Sequence, residues 1–96
     1  MAERVTIQER LPTDLSCVSP FVERVIQTLR PLTGDPGDIF NIKLAIEEAL
    51  TNAMRHGNAM DASKAVEVRI AADSRSVTID VHDQGRGFDF RVLPDP

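Results

Sequence analysis

The chain has 96 residues, 42% of them hydrophobic and 27% charged, which describes one soluble globular domain able to bury roughly 60–70% of its unfolded surface. Its net charge is −4 and its 11 Lys and Arg residues form no cluster, which argues against direct binding of nucleic acid or an anionic membrane surface. No apolar run approaches a membrane span, the charged start "MAERVTIQER" is no signal peptide, and the single Cys17 excludes an internal disulfide, so a cytoplasmic location is expected.

In chain order, "RVTIQERLP" (4–12) alternates Val5 and Ile7 with Thr6 and Gln8, and predicts a strand stopped by Pro12. Apolar residues at 18, 22, 25, 29 and 32, with Phe21 and Ile26 beside them, predict a helix. Ser16 or Ser19 would cap it and Pro31 would end it. A second helix is expected over 37–56, with Asp35 as cap, Pro36 at its first position and Asp38 favoured by the helix dipole. Gly57 or Asn58 would close it in the left-handed conformation.

After the loop "GNAMDASK", "AVEVRIAA" and "SVTIDVHD" alternate, with Val66, Val68 and Ile70 on one face and Val77, Ile79 and Val81 on another. "DSRS" between them suits a hairpin turn. The expected order is β-α-α-β-β, with helices on one sheet face and the other face wet. "RVLPDP" adds no predicted element, so the sheet is thin for an α/β sandwich. Completion by a partner and truncation of the domain both fit that ending. The four aromatics are all Phe, so the core must rest on Val, Ile, Leu and Ala, and Cys17 reads as a small buried thiol.

The second helix carries chemistry as well as a core stripe. At about 100° per residue, Ile42, Ile46, Ala49, Leu50 and Ala53 form the apolar stripe, and Glu48, Asn52 and Arg55 form a polar one beside it. Asn41 stands earlier on the polar stripe, and His56 closes the gap toward the core. Glu47 points elsewhere and reads as a solvated partner of Lys43. Glu48 and Asn52 stand one above the other. The acid can take a proton, and the amide oxygen is a hard ligand acceptable to a phosphate-bound Mg²⁺ ion. Taken alone, Glu and Asn at this spacing are ordinary surface residues.

In "HDQGRGFDF" (82–90), Asp83 closes a strand, Gly85 and Gly87 can take positive φ and let a backbone approach a planar ligand closely, and Phe88 would anchor the loop to the core. A carboxylate at the base of such a turn can accept from the exocyclic amine that marks adenine. The spacing is neither the dinucleotide fingerprint nor a Walker-type phosphate loop, and alone it is a polar turn.

Together the two segments carry a resemblance. "EEALTNAMRHGN" (47–58) resembles the N-box, and "VHDQGRGFDF" (81–90) the first glycine box, of the GHKL-type ATPases with the Bergerat fold. The match looks closest to bacterial anti-sigma factor serine-protein kinases, whose pattern E-A-x-x-N-A-x-x-H-G is met by Glu48, Ala49, Asn52, Ala53, His56 and Gly57. The resemblance implies an α+β, two-layer sandwich with a mixed or antiparallel sheet, and a single, partial ATPase domain over 1–96. It implies ATP and Mg²⁺ as cofactors, an anti-anti-sigma switch protein phosphorylated on serine, and a sequestered sigma factor. Glu48 would be the general base and Asn52 the Mg²⁺ ligand. Asp83 would bind the adenine amine, Gly85 and Gly87 would shape its pocket, and Arg55 and His56 would lie near the nucleotide.

Family members continue past "PDP" into an ATP lid, a second glycine box and closing strands, none of which falls within these 96 residues. The chain alone is therefore expected to bind ATP weakly and to transfer phosphate poorly. A lidless, non-enzymatic module that holds a sigma factor or switch partner is the alternative. The nucleotide-binding part of a sensor kinase is more remote, because no dimerisation helix pair with a phospho-accepting His precedes the first strand. The open sheet edge leaves room for a homodimer.

Overall fold

The computed structural model describes residues 4–85 and 89–92. Strand β1 (Val5–Pro12) leads through a short 3₁₀ turn (Leu15–Cys17) into helix α1 (Val18–Leu29). Helix α2 (Pro36–Asn52) follows and continues as one π-helical turn (Ala53–Gly57). Strands β2 (Ala65–Ala72), β3 (Val77–His82) and β4 (Asp89–Val92) complete an antiparallel sheet of order β1-β2-β3-β4. The result is an α+β two-layer sandwich. The expected β-α-α-β-β order gains one strand, since 89–92 pairs with β3, Val81 opposite Phe90 and Ile79 opposite Val92.

The alternation seen in the sequence decides which sheet face is covered. Val66, Val68 and Ile70 are buried, as are Val77, Ile79 and Val81. These two sets do not occupy different faces, because the register sets Val68 opposite Val81 and Ile70 opposite Ile79. They form one apolar floor beneath Phe21, Val22, Val25 and Leu29 of α1 and Ile42, Ile46 and Leu50 of α2. Each fully buried side chain of this size contributes about 1.5–3 kcal/mol of transfer free energy. Of the four Phe residues, Phe21 is in this core, whereas Phe40 is 62% exposed. The other sheet face is polar, with Arg10 and Glu67 opposite each other and ion-paired at 3.3 Å.

Local chemistry sets the helix boundaries. Asp35 caps α2 by accepting from the Gly37 and Asp38 N–H groups, and Pro36 takes the first helical position, where its missing N–H is no loss. The start of α1 differs from expectation. Asp14, rather than Ser16 or Ser19, accepts from Ser16 N at 2.9 Å and from Ser16 Oγ at 2.7 Å, so that hydroxyl is spent as a donor. α1 has no side-chain cap of its own because the 3₁₀ turn feeds directly into it. Cys17 is half-buried and donates to the Asp14 carbonyl, and its pKa is raised by desolvation first and then by the Asp14 charge. Lys43 pairs with Glu23 of α1 at 3.5 Å, rather than with Glu47. The helix–helix contact offers it a carboxylate that the sequence places 20 residues away.

No helix among the described residues is long and apolar enough to cross a membrane.

Candidate functional site

Helix α2 buries Ile42, Ile46, Ala49 and Leu50. Its opposite stripe leaves Glu48 and Asn52 exposed at the C-terminal end, one turn apart. Asn41 is also exposed, but it lines a cleft at the other end of the helix. After Asn52 the chain widens by one residue per hydrogen bond, and Asn58 N donates to the Ala53 carbonyl at 2.8 Å across five positions. Such π-turns are uncommon and concentrate at functional sites. Here the wide turn buries Ala53, Met54 and Gly57 while Arg55 and His56 face outward. The left-handed conformation expected at Gly57 or Asn58 falls instead on Ala59 (φ 50°) and Met60 (φ 58°).

Gly57 is needed for space rather than for φ. A Cβ at position 57 would fall inside the Asp83 carboxylate, and one at Gly85 would fall on the Gly57 carbonyl oxygen. Neither glycine takes the left-handed φ that the sequence suggested for Gly85. Both are required by close approach of the two loops, which brings the end of α2 onto the end of β3. Gly87 and Phe88 lie outside the described residues.

Asp83 is 8% exposed. Its Oδ1 accepts from Gly85 N at 3.0 Å. Its Oδ2 is buried with no hydrogen-bond partner, the one such side-chain atom among the described residues. Leaving a buried acceptor unpaired costs about 1–3 kcal/mol, so native proteins rarely keep one without a use. An exocyclic amine is a donor that would satisfy it.

The loop is held by a side chain whose tethering role the sequence does not mark. Asn58 is fully buried. Its Nδ2 donates to Thr13 Oγ1 at 2.9 Å and to the Ala65 carbonyl at 3.0 Å, and its Oδ1 accepts from Gln84 N at 2.7 Å. Thr13 Oγ1 in turn donates a hydrogen bond to the Lys64 carbonyl at 2.6 Å, and Gln84 Oε1 accepts from Ala65 N at 2.6 Å. Within "HGNAM" nothing local marks this role, because its partners are 45 and 26 residues away.

Glu48, Asn52, Arg55 and His56 all emerge from one end of α2 and its π-turn, the end that meets Asp83. The side chains of these four make no hydrogen bond or ion pair among the described residues, and so remain available to a ligand. Among the described residues, no group of three or more His, Cys, Asp or Glu gathers there as a metal cage. Mg²⁺ held through phosphates requires none, since it takes one or two protein oxygens and fills its shell with phosphate and water. The Asn52 carboxamide is a donor of that kind.

A cleft of about 400 Å³ opens between the start of α2 and the β2–β3 turn, lined by Thr33, Asp38, Asn41, Asp73, Arg75 and Val77. It lies at the opposite end of α2, roughly 20 Å from Asn52 by helix rise. The Asp73 carboxylate in it is already satisfied by Arg75 N and Ser76 N. The Asp83 end is the better candidate because, among the described residues, only there is a buried side-chain polar atom left without a partner.

The chain belongs to the histidine kinase-like ATPase domain family, whose model matches residues 11–96. It is a GHKL-type ATPase domain close to the anti-sigma factors. Over 72 residues it is 35% identical to the anti-sigma F factor of Clostridium perfringens (strain SM101 / Type A), covering 75% of this chain and 46% of that protein. It is 32% identical over 72 residues to the anti-sigma F factor of Anoxybacillus flavithermus (strain DSM 21510 / WK1), covering 75% and 44%. The chain thus spans about half the length of the curated relatives it matches.

Proposed function

We propose that the chain binds ATP at the junction of α2, the π-turn and β3, and acts as the nucleotide-holding part of an anti-sigma factor with serine-protein kinase activity. The observation that carries this reading is the orphaned, buried Asp83 Oδ2 packed against Gly57, where no side chain fits. The family match and the anti-sigma F factor relatives support it.

In this reading Asp83 Oδ2 accepts the adenine amine, while Gly57 and Gly85 let the two loops close together around the Asp83 carboxylate. Asn52 offers its amide oxygen to a phosphate-bound Mg²⁺, whose chemistry is to neutralise phosphate charge. Arg55 and His56 stand at the same helix end for further phosphate contacts. Glu48 takes the proton of a serine hydroxyl on an anti-anti-sigma partner as its oxygen bonds to the γ-phosphorus and the β–γ bridge breaks, releasing ADP. The same protein would hold a sigma factor when its partner is phosphorylated.

The test is phosphate transfer from labelled ATP to a serine-bearing switch protein, with wild type and Glu48→Gln compared. Transfer by wild type and its loss in the variant are expected. ATP binding with no transfer by either would leave a binding module and refute the kinase step.

A further inference from the structure

We infer that Asn58 is a positioning residue for the adenine site, fixing the segment that carries Asp83. Asn58 is fully buried, yet every polar atom it has is engaged. Its backbone N–H donates to the Ala53 carbonyl, and its carbonyl accepts from Asp61 N at 3.0 Å. Its side chain donates twice, to Thr13 Oγ1 and the Ala65 carbonyl, and accepts once, from Gln84 N. Only a carboxamide of this length meets that demand. Aspartate would set a carboxylate against the Ala65 carbonyl, and alanine would strand the Gln84 N–H.

The geometry connects this hub to the ligand group. Gln84 N lies one peptide beyond Asp83, so holding it fixes the bond that aims the Asp83 side chain. With Gln84 tethered, Gly85 N reaches Asp83 Oδ1 and Oδ2 is left as the open acceptor. Gly57, adjacent to Asn58, forms the wall beside that same carboxylate. One loop therefore both shapes the space around Asp83 and sets its angle, and Thr13 ties that loop back to the end of β1. The inference rests on the adenine reading of Asp83 above.

The experiment titrates the 96-residue chain with ATP and with ITP, whose base carries a carbonyl where adenine has the amine. Wild type should prefer ATP, and Asp83→Asn should abolish the preference. Asn58→Ala should lower the ATP-to-ITP affinity ratio by about tenfold while ITP affinity changes little. It should also speed amide exchange at Gln84 and Gly85. Thr13→Val should move both readouts the same way by less, and Thr13→Ser should restore them. If Asn58→Ala does not fold, the Thr13 pair carries the test. Equal weakening of ATP and ITP in the folded variants would mean a merely structural role and overturn the inference. So would an unchanged ratio in Asn58→Ala alongside a lost one in Asp83→Asn. A wild type indifferent to the amine would instead remove the adenine reading, and the role of Asn58 with it.

Discussion

The Asp83 carboxylate fills the space that a Cβ on Gly57 would occupy. Sequence separates these residues by a loop and a whole hairpin, yet the fold makes them mutually exclusive volumes. Gly57→Ala must therefore push Asp83 or the π-turn aside. Overpacking of this kind costs about 1–3 kcal/mol, and each kcal/mol lowers the melting temperature by roughly 4–8 °C in a domain of this size. Thermal melts should show that drop, and ATP binding should fall with it.

Asp83→Asn separates binding from stability. The amide oxygen can still accept from Gly85 N, and a neutral group is cheaper to bury than a carboxylate. Thermal stability should be unchanged or raised by about 1 kcal/mol, while the preference for ATP over ITP disappears. A variant that lost stability and kept the preference would contradict the account of the orphaned oxygen.

Glu48→Gln should leave the melt unchanged, because the side chain is exposed and bonded to nothing among the described residues. ATP affinity should also hold. Phosphate transfer should fall by about 10²–10⁴-fold, the usual contribution of a positioned general base. Single-turnover assays with a serine-bearing switch protein read this directly.

Three turn carboxylates add to the acid sensitivity of the fold. The Asp14 pKa is lowered by the Ser16 hydroxyl and then its N–H, Asp61 by the Ser63 hydroxyl and then its N–H, and Asp73 by the Arg75 and Ser76 N–H groups. A folded pKa below the unfolded value means stabilisation that is present above the ordinary aspartate value of about 3.9 and is lost as pH falls through the folded value. Urea unfolding should be insensitive to these groups from neutral pH to about 5 and should weaken below about 4. Asp73→Asn should flatten part of that acid slope.

What the sequence made legible was local. The Asp35–Pro36 start of α2, its buried stripe and the two alternating strands all follow from neighbours within a few residues. The pairing of Lys43 with Glu23 was hidden because it depends on how α1 crosses α2. Strand β4 was hidden because four residues carry too little alternation to register. At the site, Asp83 and Gly85 stood out by spacing, but the glycine requirement proved to be one of contact rather than φ. The tethering role of Asn58 stayed invisible because its side-chain partners come from the residue after β1, the start of β2 and the turn after β3.

The nucleotide is expected at the Gly57–Asp83 junction rather than in the cleft at the far end of α2. Titrating isotope-labelled chain with ATP and following backbone amide shifts tests this most directly. Perturbations should concentrate at Asn52, Gly57, Gln84 and Gly85. Perturbations centred instead on Thr33, Asp38 and Asp73 to Val77, or none at saturating ATP, would contradict that placement.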